Sequence, residues 1–400
     1  MKAIETGSWL SRERVTRIAL ISAAAGAAML LFLWFARTGT VDYFGQPVGS
    51  DFSAFWNAGH LANAGEAPQA WNHAKLNASI QATHGTPYNA AWLYPPVFLL
   101  VMAALAALPY LPALLVWQSF SLAIVGLTLQ RILKNRRDTL IALASPLTPL
   151  VLAHGQNSLL TAALLGGGLI LLEDRPELAG CLLGGLVYKP QLALVLLPLL
   201  LLTRNWRALI AAASMAAALV LTSTIVWGLD SWSAFAASLH MGREYMEQGT
   251  AGFYKSPSLF SMTRLWGGSV GAGYAAQLAG IVAALLLIWR SAGNGTNFRA
   301  AAVCAAAALS TPYLFDYDMA VVGIGAAFLY AEARRSGFLP YEGSALAFIW
   351  IAPWFSRPAA QYLALPLGPA AMLLLAWLAW RRVRQGIAIP PLTCSVCPVT

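Results

Sequence analysis

The chain has 400 residues, 58% of them hydrophobic and only 10% charged, and carries a formal net charge of +9. A soluble domain carries about 25% charged residues, so this composition excludes a water-soluble fold and leaves a chain whose main solvent is the bilayer. Nucleic acid is not the partner of the positive charge. The cations fall in short runs between apolar stretches, at 12–17, 131–137, 204–207, 334–335 and 381–384, as in cytoplasmic loops that obey the positive-inside rule.

The first apolar run, Val15 to Ala36, exceeds the ~7–15-residue core of a cleavable signal, and no small-x-small site closes it. It predicts a retained first transmembrane helix. Further spans are predicted at 94–108, 112–130, 139–153, 157–172, 177–188, 190–203, 206–227, 271–290, 298–310, 318–333, 343–355 and 362–380. The fold class is therefore an all-α polytopic bundle of about 11–13 membrane segments, several of them short enough to need burial among neighbours. With the basic runs in the cytoplasm, 37–93, 154–157, 189–191, 228–268, 311–318 and 354–361 fall outside. One conflict remains. Two full crossings between Tyr94 and Gln130 put the 131–137 run outside, so either one of them does not span or 139–153 is re-entrant.

The two long outer loops, 37–93 and 228–268, are rich in Trp and Tyr, which favour the membrane interface. Segments 52–64 and 231–247 read as amphipathic interfacial helices. Residues 1–385 form one integral membrane domain with no internal repeat, and 386–400 a flexible tail. The tail holds Cys394 and Cys397, one CxxC without the second pair that a zinc site needs. Cys181 and Cys304 lie in apolar segments as small core residues.

Polar residues interrupt this pattern at six places. Asp51, in GSDFSAFWNAGHLANAG, is either a general base beside an apolar wall or the N-cap of the helix after it; Asp42 is a weaker base of the same kind. Tyr94-Pro95-Pro96 opens an apolar segment, where proline suits a first helical turn. His154-Gly155-Gln156-Asn157 is either a polar site at membrane depth or a short turn with Gly at positive φ. Tyr188-Lys189-Pro190-Gln191 sets a lysine on the outer side, against the charge bias; it either meets a phosphate as a point charge or snorkels. Thr311 to Asp318 places Asp316 and Asp318 on the same side as Asp51, to cap the next helix or to bind sugar hydroxyls or a cation. Lys255-Ser256-Pro257-Ser258, flanked by Arg243 and Arg264, is either a phosphate-binding group or a solvated loop. No glycine-rich nucleotide loop, HExxH or GxSxG is present, so no cytoplasmic nucleotide-sugar site is visible.

In order, DFSAFWNAGHLANAGEAPQAW, WLYPPVFLLVMAALAALP, HGQNSLL, RPELAGCLLGGLVYKPQLALVLLPLLLLTRNW, SPSLF and TPYLFDYDMA resemble glycosyltransferase family 87, a polyprenol-phosphate-sugar-dependent membrane family. The likeness covers most of residues 40–330. It implies a glycosyltransferase C-type (GT-C) fold that moves a hexose or pentose, mannose-like by preference, from a polyprenyl-phosphate carrier to a lipid or glycan acceptor. Transfer would invert the sugar at the extracytoplasmic face of the cell membrane.

The resemblance implies Asp51 as catalytic base and Lys189, with Arg243 and Arg264, at the donor phosphate. Tyr94, His154, Gln156, Asn157, Gln191, Asp316 and Asp318 are the expected substrate contacts. No cofactor is expected. No metal is expected either, since Asp51 lacks the acidic neighbour of the metal-dependent relatives. The partners implied are the lipid-linked donor, the acceptor and membrane lipid. A transporter or flippase of a lipid-linked sugar is the rival reading. It predicts inverted repeats and helices broken at midplane, whereas here the polar residues gather at one face. An inactive scaffold is a third, against which Asp51 and Lys189 stand.

Overall fold

A computed structural model describes residues 2–388, with side chains to Val383. The described residues are helical throughout, apart from loops and two isolated bridges, Thr38 to Val41 and Val41 to Pro47. The tail cysteines Cys394 and Cys397 lie outside the described residues, as does most of the 386–400 segment.

Among the described residues, four helices are long and apolar enough to cross a membrane: α1 (Arg12–Phe35), α5 (Tyr110–Leu133), α11 (Trp206–Gln248) and α13 (Val270–Ser291). Their outer faces carry side chains such as Leu20 and Ile225, 65% and 75% exposed, which only hydrocarbon would solvate favourably. The shorter apolar helices survive by being enclosed. In α14 (Thr296–Leu309) every residue from Arg299 to Leu309 is buried, because its alanines let the surrounding helices approach closely. In α9 (Pro176–Gly184), a Cβ at Gly180 would lie 2.3 Å from the Ala208 carbonyl oxygen and one at Gly184 2.4 Å from that of Ala212. Only glycine at i and i+4 allows this backbone-to-backbone seam with α11.

Several expected boundaries are corrected. The 94–108 segment forms α4 (Val97–Ala106), whose ten residues rise only about 15 Å, half of the hydrocarbon thickness. It packs instead on α2 (Ser50–Asn63), so between Tyr94 and Gln130 α5 alone is long enough to cross, the arrangement that keeps the 131–137 run with the other basic runs. The 139–153 segment is two short helices, α6 (Arg136–Leu143) and α7 (Leu147–His154), divided at Ser145-Pro146 because proline cannot donate into the helix ladder. The 343–355 segment extends through Pro353 and Pro358 to form α16 (Glu342–Leu363). The 52–64 segment is no surface-lying helix: every α2 residue from Phe52 to Gly59 is buried. The 231–247 segment continues α11 across a kink at Gly228 (φ 74°, ψ 169°), and its Phe235 packs on Trp71 of the first loop.

The basic runs gather at one end of the bundle. Arg137 donates to the Arg12 carbonyl and to Thr16, and Arg334 lies 3.9 Å from Asp138. Arg207 pairs with Glu177 and Arg299 with Glu173; Arg381 donates to the Pro340 carbonyl and Tyr341 to that of Glu5. The loops 37–93 and 228–268 lie at the other end.

The first loop is fastened to α5 by its own polar groups. Tyr110 donates to the Val48 carbonyl at 2.6 Å. The His84 ring stands edge-on to Tyr110, 4.5 Å between centroids, with Nδ1 2.8 Å from Thr40 Oγ1. Burial pushes the imidazole down to about 4. A histidine held neutral when folded contributes stability that is complete above its unfolded value, about 6.5, and is lost as pH falls through 4. Melting temperature in detergent should therefore drop between pH 6.5 and 4, and the drop should be smaller in His84→Gln. Equal slopes for both proteins would remove His84 from this role.

Candidate active site

The polar tetrad after α7 is a turn with a fixed shape. Gly155 ends the helix in the left-handed region (φ 65°, ψ 30°), and a Cβ there would meet Phe52 Cβ at 2.6 Å. Both the conformation and the contact demand glycine. Trp117 Nε1 donates to the Gly155 carbonyl at 3.0 Å, and Gln118 to that of Leu152. So anchored, the turn grips the start of α2. His154 Nδ1 is 2.8 Å from Ser50 Oγ, and Gln156 Nε2 donates to Asp51 Oδ2 at 2.8 Å. Gln156 Oε1 accepts from the Asn157 amide at 3.1 Å and, at 3.5 Å, faces the Tyr94 hydroxyl.

Asp51 is not the N-cap. The cap is Gly49, in the left-handed region with no side-chain bond, and Asp51 is the second residue of the helix. Its carboxylate is spent on Gln156, and Oδ1 accepts from nothing among the described residues. Its negative charge suits the first helical turn. At the half-buried Tyr88, burial first and then Asp51 push the phenol up to about 12.

Below the turn lies an ion pair. Lys189 Nζ is 2.5 Å from Asp318 Oδ1, with the two side chains 3% and 4% exposed. Ser158 donates to the same oxygen at 2.9 Å, and Asp318 Oδ2 accepts from the Phe315 amide at 3.2 Å. The carboxylate thereby closes the 3-10 turn Asp316–Met319, while Lys189 stands 5.8 Å above the Tyr317 ring. The other acid of the turn, Asp316, binds Arg357 Nε at 2.7 Å. Asn157, wholly buried between these groups, has no hydrogen-bond partner for either side-chain amide atom among the described residues. Such a group is costly unless a ligand or water satisfies it.

Aromatic rings back the network. Tyr94 packs on Phe55 at 5.3 Å and on Phe98 at 4.9 Å, and Phe98 stacks on Tyr188 at 5.0 Å. Phe55, Phe98 and Tyr188 are buried, so this wall is a packed apolar backing to the polar groups. A cavity alongside is lined by Phe253, Tyr254, Asp316, Met319, Pro353 and Pro366.

Thus Asp51, Tyr94, His154, Gln156, Asn157, Lys189, Asp316 and Asp318 come together from distant segments. Gln191 lies nearby, half-buried, without a side-chain hydrogen bond among the described residues. Arg243 pairs with Glu247 on the surface, and Arg264 lies over Phe253 and donates to the carbonyls of Gly268 and Glu247. Sequence reasoning passed over Ser50, Ser158, Tyr88 and Arg357. Of these Arg357 carried a usable signal: like Lys189, it is a cation at the end opposite the basic runs.

Comparison with known proteins adds one finding. The family model "Glycosyltransferase family 87" matches residues 92–312, more than half of the chain. The match includes the tetrad and Lys189, begins after Asp51 and stops short of Asp316. No curated protein and no solved structure matches the chain.

Removing one partner of a buried ion pair costs about 3–5 kcal/mol, because the other charge is left alone. Lys189→Met should therefore unfold at markedly lower temperature, and Lys189→Met/Asp318→Asn should regain most of the loss. A double variant no more stable than the single one would deny the pair its structural part.

Proposed function

Because the chain belongs to glycosyltransferase family 87, we propose that it transfers a hexose or pentose, mannose by preference, from a polyprenyl-phosphate carrier to a lipid- or glycan-linked acceptor. The reaction takes place at the extracytoplasmic face of the cell membrane, in a bundle of the GT-C kind, and inverts the sugar. The observation that carries this reading is Asp51: a carboxylate held by one oxygen, free at the other, at the end of the bundle away from the basic runs.

The chemistry follows from that placement. The acceptor hydroxyl gives its proton to Asp51 Oδ1 while its oxygen attacks the anomeric carbon. The bond from that carbon to the phosphate oxygen breaks on the opposite face, and polyprenyl phosphate leaves with the electron pair. A single displacement inverts the centre and needs no covalent intermediate. Gln156 fixes the orientation of the base, and so does the turn behind it, which counts because a positioned base is effective only within hydrogen-bond reach. Asn157 supplies a donor and an acceptor for sugar hydroxyls, and Tyr94 and His154 border the same space. Lys189 serves through Asp318, holding the 3-10 turn in place.

Two experiments bear on this reading. Asp51→Asn is nearly isosteric and keeps a partner for Gln156, so the protein should fold and bind donor normally. Loss of the base should lower transfer by about 10²–10⁴-fold. Near-wild-type turnover at saturating donor would retire Asp51 as the base. For sidedness, exposed Glu66 and Arg136 lie at opposite ends. In a cysteine-free background, Glu66→Cys should react with an impermeant maleimide in intact cells and Arg136→Cys only after permeabilisation. The reverse pattern would place the site in the cytoplasm.

A further inference from the structure

The leaving phosphate requires a cation, and the three expected to meet it are all engaged within the chain. Lys189 is buried against Asp318, Arg243 is paired with Glu247, and both terminal nitrogens of Arg264 donate to carbonyls. Arg357 differs. It lies near the outer end of α16, and Nε alone is bound, to Asp316 Oδ2. Its two terminal nitrogens donate to no acceptor among the described residues, although the side chain is only 30% exposed.

The geometry points to Arg357 as the group that binds the phosphate of the lipid carrier, an inference that rests on the carrier reading above. A guanidinium held at Nε by a carboxylate has its orientation fixed and presents its far edge, the two terminal nitrogens, to a second anion in a bidentate fork. Asp316 supplies that hold from a turn that Asp318 and Lys189 keep rigid. The turn that holds Arg357 through Asp316 is tied through Asp318 to Ser158, next to the tetrad whose Gln156 binds Asp51, so phosphate and base would flank one small space, as a displacement with attack and departure on opposite faces requires. The cavity against Asp316 and Ser356 is walled by Phe253, Met319 and Pro353, an apolar surface suited to the first isoprene units. As the bond to the anomeric carbon breaks, the phosphate gains negative charge, and Arg357 meets it without reorganisation.

The test compares binding of farnesyl phosphate and farnesol to the full-length protein in detergent, by quenching of tryptophan fluorescence. The reference is Asp316→Asn, which keeps Arg357 but removes the carboxylate that its loss would strand. Wild type should prefer the phosphate, and the reference should keep a part of that preference, because the amide oxygen of Asn can still accept from Nε. Asp316→Asn/Arg357→Gln should lose about 10- to 100-fold of that preference, the range for hydrogen bonds to a charged group, with farnesol affinity unchanged as the check on folding. Arg357→Lys, in the native background, should keep a part, as a charge without the fork. A preference undiminished in both Arg357 variants would overturn the assignment and leave the carrier reading intact. Absence of any preference in the wild type would overturn the carrier reading, and this assignment with it.

Discussion

Lys189 and Asp318 stand 129 residues apart in the chain and meet at 2.5 Å in the interior. Neither charge is tolerable alone at that depth, since transfer of an unpaired ion into a low-dielectric interior costs several kcal/mol even after relaxation. The pair therefore dictates geometry. It sets the short Pro190 segment against the turn that opens α15 (Ala320–Ser336), and through Ser158 it sets both against α8 (Ser158–Leu171). Once these elements are docked, the tetrad before α8 has one position, and Gln156 can reach Asp51. The carboxylate proposed as base thus owes its orientation to a salt bridge it does not touch.

The turn at Asp316–Met319 works in two directions. Asp318 faces inward to Lys189 and Ser158; Asp316 faces Arg357 on α16. Adjacent acids of a transmembrane protein would repel one another and resist burial, but each here has its own cation. The arrangement is polarised. The inner pair is nearly dry, and both oxygens of its carboxylate are hydrogen-bonded, which suits rigidity. The outer pair leaves the guanidinium edge and an adjoining cavity open, which suits a ligand.

The fold was legible from composition and charge because those signals come from the solvent. Lipid-facing positions had to be apolar, and the cationic runs had to share an end, so the class and the relative sidedness followed directly. The errors arose where protein replaced lipid as the neighbour. Val97–Ala106 is as apolar as a span, but it is ten residues long and covered by α2; hydropathy does not distinguish burial in a bundle from burial in hydrocarbon. At the site, the tetrad, Asp51 and Lys189 stood out as polar groups in apolar surroundings. Their partners did not, because Ser50 and Ser158 look like any helix-start serine, and pairing across more than a hundred residues leaves no local trace. The same blindness hid the difference between Lys189, which is neutralised, and Arg357, which has donors to spare.

Element length explains why the polar groups sit where a lipid-linked substrate would find them. The hydrocarbon core is about 30 Å thick, and α8 and α14, with fourteen residues each, rise only about 21 Å. At the end that gathers the basic runs, α14 is held by the ion pair of Arg299 with Glu173, so in a bilayer the shortfall would fall at the other end. There the tetrad and the Asp316–Met319 turn would lie below the level of the long helices α5 and α13. Irregular backbone at such depth persists only where protein or a cavity satisfies it, and the bonds from Trp117 and Gln118 to the Gly155 and Leu152 carbonyls do so. In the proposed reaction, such a recess would meet the carrier's phosphate near the headgroup level and admit the acceptor from water above. The short helices that made the sequence hard to divide into spans are thus what open the space in which the reaction would occur.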